Sequence, residues 1–209
     1  MNAAHSKSAF VYGQVRRALQ SGRYVPGQRI DPAKLADEFK TSPTPVRFAL
    51  YRLVGEGLVA DHARNGLHVP LLTEVALRDL YGWMEGLLLW ACDLASAQPS
   101  SPHAAWPFAA GDNDLVNLTW ELFDAIAGDA DHWSLHHAVK RANDQLTPVR
   151  RANLGLIPHA KEELCELVRL WQSRDLPALR VALSNYHARR KQVVPRIVAM
   201  LGERSEHLH

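Results

Sequence analysis

The stretch Ser42-Pro43-Thr44-Pro45-Val46-Arg47-Phe48-Ala49-Leu50 decides how this chain is read. Ser42 is a favoured N-cap residue whose hydroxyl can accept a backbone N–H, and Pro43 takes the first helical position, where its missing N–H costs nothing. Val46, Leu50 and Leu53 then recur at helical spacing, and Gly57 stops the helix. Upstream, Val11, Val15, Ala18 and Leu19 mark a first helix within 10–22. Pro26-Gly27 turns the chain into a short extended piece at Arg29-Ile30, and Asp31 caps a second helix from Pro32, with Leu35, Ala36 and Phe39 inward. Downstream, β-runs at 58–61 and 67–70 flank a polar tip, 62–66, whose Asn65-Gly66 is a hairpin signal.

Three helices and a hairpin make a winged helix-turn-helix. Residues 9–72 resemble the DNA-binding domain of the GntR family of bacterial transcription regulators. The resemblance is carried by Ser21-Gly22, Pro26-Gly27, Leu35-Ala36, the 42–50 stretch, Leu53, Glu56-Gly57-Leu58-Val59 and the wing glycine Gly66. From Thr73 onward no strand pattern occurs, and helical periodicity predicts helices at about 74–97, 113–127, 131–147, 159–173 and 176–201. A Pro- and Ser-containing loop at 98–111, anchored by Trp106 and Phe108, separates the first two. Helix order, length and the phrase Asp79-Leu80-Tyr81 make this part similar to the FCD ligand-binding domain of the FadR-like subfamily. The expected protein is mainly all-α, with a winged helix-turn-helix at 1–72 and a helical ligand-binding and dimerisation bundle at 73–209.

Composition agrees with this organisation. The chain has 209 residues, 47% hydrophobic and 22% charged, ordinary values for a globular protein. Its net charge of +2 divides unevenly: before Leu72, 10 Lys/Arg face 5 Asp/Glu, and after it 14 face 17. A basic head joined to an acidic body suggests a polyanion partner for the head alone. No apolar run reaches the roughly 18 residues of a membrane helix, and no secretory signal opens the chain, so a cytoplasmic location is expected. Cys92 and Cys165 both lie in apolar helical patterns and read as free, buried thiols.

A helix entering the major groove needs a polar first turn near the bases and an apolar face fixing its angle on the domain. Thr44 and Arg47 meet the first demand, with Ser42 beside them; Arg47 can grip guanine O6/N7 or a phosphate. Arg52 is a secondary candidate. Arg64, Asn65 and Gly66 at the wing tip suit a neighbouring narrow groove, and Lys34 adds sequence-blind phosphate affinity, as does Lys40. Two departures from the family, Pro43 where an arginine is usual and Ala33 beside Lys34, predict a different operator preference.

For the body, the resemblance implies an effector pocket and a divalent metal held by a carboxylate, a histidine one turn later and two later histidines. Those positions fall here on Asn117, Glu121, Leu164 and Tyr186, so the usual ligands are replaced and no cofactor is expected. An alternative ligand set is Asn117, Glu121, His159 and His187. Met84, Leu88, Asn117, Trp120, Glu121, Leu164, Tyr186 and His187 are the expected pocket residues; a cavity lined by Met84, Leu88, Trp120, Leu164 and Tyr186 suits an apolar or aromatic effector, the alternative being that these residues fill the core and no small molecule binds. Asp129, His132 and His136 share a helical stripe that an exposed amphipathic face explains.

The resulting expectation is a non-enzymatic, ligand-responsive repressor binding a palindromic operator as a homodimer. Two other classes compete with it. A metal-dependent enzyme with a nucleic-acid-binding head would draw on the 11 histidines, yet no P-loop, H-E-x-x-H or Ser/His/Asp order occurs. An architectural DNA-binding protein would show no operator preference.

Overall fold

A computed structural model describes residues 3–63, 66–97 and 114–206. The wing-tip residues Arg64 and Asn65 and the loop containing Trp106 and Phe108 lie outside the described residues. The chain divides into two compact units: residues 1–72 with 147–152 and 197–209, and residues 73–146 with 153–196.

In the first unit, α1 (Ala3–Gln20), α2 (Pro32–Glu38) and α3 (Pro43–Gly55) precede an antiparallel pair, β1 (Ala60–His62) and β2 (Gly66–His68). Val11, Val15 and Leu19 of α1, Leu35 and Ala36 of α2, and Val46, Ala49, Leu50 and Leu53 of α3 form one buried cluster with Ile30, Leu58, Val59, Leu67 and Val69. Helix α1 begins earlier than the apolar periodicity does, at Ala3 rather than Phe10. Arg29 pairs with His68, and the Ile30 N–H donates to the Leu67 carbonyl at 2.8 Å, so the short extended piece joins the wing.

Local chemistry explains the element ends. Asp31 accepts the backbone N–H groups of Ala33 and Lys34, capping α2. Ser42, expected to do likewise for α3, makes no side-chain cap bond. Pro43 and Pro45 have no N–H to offer at the first and third helical positions, which leaves the hydroxyl little to accept. Helix α3 ends with the Leu58 N–H donating to Leu53 and the Gly57 N–H to Val54, both at 2.9 Å, around Gly57 at φ +74°. This closure consumes Leu58, and it accounts for the wing starting at Ala60 rather than at 58. Helix α2 closes in the same way around Lys40 at φ +47°, a non-glycine residue in the left-handed region.

The second unit is helical: α4 (Glu74–Ser96), α5 (Leu115–Gly128), α6 (Trp133–Ala152), α7 (Ala160–Gln172) and α8 (Leu176–Glu206), the last residues of α6 and α8 belonging to the first unit. Its interior takes Leu77, Tyr81, Met84 and Leu88 from α4, Leu122, Phe123 and Ile126 from α5, Leu164, Leu167 and Val168 from α7, and Leu179 and Leu183 from α8. Two helices outrun their sequence signals: α6 continues past 147 through Pro148 to Ala152, and α8, which contains Pro195 as expected, extends past 201 to Glu206. No helix among the described residues is long and apolar enough to cross a membrane. Cys92 is buried, but Cys165 is exposed on α7, against the expectation of two buried thiols.

Candidate nucleic-acid interface

Helix α3 buries Pro45, Val46, Ala49, Leu50 and Leu53 and turns Ser42, Thr44, Arg47, Phe48 and Tyr51 to solvent. Thr44, Arg47, Phe48 and Tyr51 are spaced i, i+3, i+4 and i+7, which places them on one face of a helix. Arg47 is exposed and has no hydrogen-bond or ion-pair partner among the described residues. Lys34 on α2 and Lys40 after it are exposed as well.

Arg52 is engaged differently. Its Nε donates to Glu56 Oε1 at 3.1 Å and its guanidinium lies 3.9 Å from the ring centroid of Tyr12. The Tyr12 hydroxyl donates to Glu56 Oε2 at 2.8 Å, and burial together with that bond pushes its pKa above the ordinary phenol range. Arg23 forms a two-pronged pair with Glu38 at 2.7 and 2.8 Å, which lowers the Glu38 carboxyl. These two arginines thus tie helices of the head together, while Arg47 stays available.

On the wing, Gly66 adopts φ +71° and a Cβ built there meets nothing within 4 Å, so its backbone is open to a close neighbour. His62 and His68 stack across the two strands at 4.3 Å.

In the body the expected pocket residues separate into two groups. Met84, Leu88, Leu164, Tyr186 and His187 are buried. Asn117 and Glu121 are exposed, and Trp120 is half-buried with its indole N–H donating to Asp144 Oδ1 at 2.9 Å. Helix α5 turns Val116, Thr119, Leu122 and Phe123 inward instead, a difference of one or two positions at about 100° each. Of the alternative ligands, Asn117, Glu121 and His159 are exposed and His187 is buried. Among the described residues no three His, Cys, Asp or Glu side chains form a metal-sized group. Members of the Asp129, His132 and His136 stripe have separate partners: the Trp171 indole N–H, the Leu135 N–H and Asp124.

Sequence reasoning passed over two features. Phe48 and Tyr51 could have been found from their spacing relative to Thr44 and Arg47. Arg190 sits in the basic run Arg189-Arg190-Lys191 and reads as solvated, yet its side chain is buried. It pairs with Glu163 Oε2 at 2.6 Å and lies over the Tyr186 ring at 3.2 Å. Tyr186 and Arg190 are one turn apart, the signal that was available. Around them, Phe123, Tyr186 and His187 pack ring against ring at 5.0 to 5.8 Å.

Residues 7–69 match the family model of bacterial regulatory proteins, gntR family. Over 70 residues, 34% of this chain and 31% of the relative, the sequence is 33% identical to the uncharacterized HTH-type transcriptional regulator YdhC of Bacillus subtilis (strain 168). Over 61 residues, 29% of each chain, it is 41% identical to the Nta operon transcriptional regulator of Aminobacter aminovorans. The matched segment thus spans less than a third of the length of these curated relatives. Among solved structures, E. coli McbR/YncC matches with a TM-score of 0.67 at 18% identity, over 94% of this chain and 99% of that one. A GntR transcriptional regulator from Rhodococcus sp. RHA1 matches with a TM-score of 0.73 at 15% identity, over 90% and 97% of the two chains. The architecture is a GntR-type winged helix-turn-helix head followed by a helical C-terminal domain.

Proposed function

We propose that this chain is a DNA-binding transcription regulator of the GntR family, with an FCD-type body, that reads a palindromic operator as a homodimer. The observation that carries this reading is Arg47: exposed, without a partner among the described residues, and on the same face of α3 as Thr44, the opposite face being the core of the head. A guanidinium so presented matches the guanine edge in the major groove, while Lys34 and Lys40 supply phosphate affinity. The wing residues Arg64, Asn65 and Gly66 contact the adjacent groove.

The body binds an apolar or aromatic effector, and binding lowers the affinity of the heads for the operator through a coupling free energy. The buried Met84, Leu88, Leu164, Tyr186 and His187 support that reading; it requires neither catalysis nor a cofactor. A second copy is supported by α4, whose exposed side carries Val75, Trp83 and Trp90. On the same side, a Cβ built at Gly82 or Gly86 meets nothing within 4 Å, so a partner helix has room to approach.

The deciding experiment selects bound duplexes from a random DNA pool at moderate salt, with Arg47→Ala beside the wild type. The expected result is an enriched palindrome that the variant fails to select. Retention of DNA by both proteins without an enriched sequence would establish an architectural phosphate binder instead.

A further inference from the structure

We infer that Phe48, with Tyr51 beside it, reads the C5-methyl groups of thymines in the operator; the inference rests on the operator reading above and adds a base to it. Phe48 is 67% exposed and Tyr51 57% exposed, on a helix whose other side is fully buried. Neither makes a ring contact, hydrogen bond or ion pair among the described residues. Phe10, at 52% exposure, is different, because its ring packs edge-on against Phe39 at 6.1 Å. Two large rings therefore stand uncovered on the face that also carries Thr44 and Arg47.

The chemistry of the major groove says what would cover them. A phenyl ring has no donor or acceptor, so covering the edge of guanine, adenine or cytosine with it would strip water from polar groups and return nothing. Thymine alone offers an apolar group there, its C5-methyl. Phe48 and Tyr51 are three residues apart, about 4.5 Å along the helix, against a base-pair rise of about 3.4 Å, so they meet neighbouring base pairs. Arg47 adjoins Phe48 in sequence, which puts the thymine step next to the guanine that Arg47 grips. The Tyr51 hydroxyl can still bond a phosphate while its ring closes the apolar contact.

The test uses the full chain and the duplex enriched from the random pool. Each thymidine is replaced in turn by deoxyuridine, which deletes the methyl group and keeps the pairing face, and affinity is measured by fluorescence anisotropy. Wild type should weaken about 4-fold at one or two thymines, the worth of one buried methyl group. Phe48→Ala should bind the thymidine duplex more weakly and lose its sensitivity to deoxyuridine at one of those thymines, while Phe48→Leu keeps part of it. Wild type indifferent to deoxyuridine everywhere, or Phe48→Ala as sensitive as wild type, would overturn the inference and leave the operator reading standing. A pool with no enriched sequence would overturn both. Because Phe48 is exposed, the variants should keep the wild-type circular dichroism and Tm.

Discussion

The guanidinium of Arg52 stacks 3.9 Å from the ring centroid of Tyr12, and both residues bond the same carboxylate, Glu56. This cluster joins α1 to the end of α3 and gives Arg52 partners within the head. Tyr12→Phe should cost about 1 kcal/mol in urea denaturation, the worth of a half-buried hydrogen bond. Arg52→Ala should cost about 0.5–1 kcal/mol through its exposed ion pair and ring contact. Neither should change which duplex is enriched from a random pool, and an altered preference with Arg52→Ala would show that it contacts bases.

Burial pushes the Cys92 thiol up to about 12, from an ordinary value near 9.0, whereas Cys165 is exposed. Iodoacetamide at pH 8 should therefore label only Cys165 in the native protein and both residues in urea, as read by peptide mass spectrometry. The sign for stability follows from the raised value. Below pH 9 the thiol is protonated in both the folded and unfolded chains and has no effect. As pH rises from 9 toward 12 the unfolded chain releases this proton and the folded chain keeps it, so stability falls. Cys92→Ala should flatten that part of the pH–stability curve; an unchanged slope would assign it to other groups.

The Glu163–Arg190 pair is buried, with side chains 9% and 7% exposed, and Arg189 stands 3.6 Å from the same carboxylate. Glu163→Gln leaves a buried guanidinium without its counter-charge and should cost about 3–5 kcal/mol. Replacing both, Glu163→Leu with Arg190→Met, should cost far less than the sum of the single changes, because the desolvation penalty leaves with the charges. Additive costs in a double-mutant cycle would show that the pair is not coupled.

Trp83→Glu on α4 tests the proposed second copy. The wild type should sediment as a dimer and the variant should shift toward monomer at micromolar concentration, with unchanged circular dichroism. Either a monomeric wild type or a variant that stays fully dimeric would remove α4 from the interface.

Much of the head was legible in its sequence because its signals are local. Asp31 caps α2, Gly57 terminates α3, and the apolar positions of α1 to α3 recur with the helical period. The one failed cap, Ser42, also has a local cause in Pro45, which removes the N–H a third-position bond requires. In the body the helices were legible and their rotation was not. Periodicity locates a helix, but an inward-facing set shifted by one residue turns the face by about 100°, enough to move Asn117 and Glu121 from an expected pocket to the surface.

The sequence alone settled that a capped, proline-led helix with an apolar back and a polar first turn would follow two others and precede a hairpin, since each of those features depends on neighbours within a few residues. Only tertiary structure decided that Arg52 is held by Tyr12 and Glu56 while Arg47 is left open, that Arg190 goes inside with Glu163, and that α6 runs on through Pro148. Each of these depends on partners or packing brought in from elsewhere in the chain. Burial then makes a charge costly without its mate and lets packing offset the backbone bond a proline forfeits.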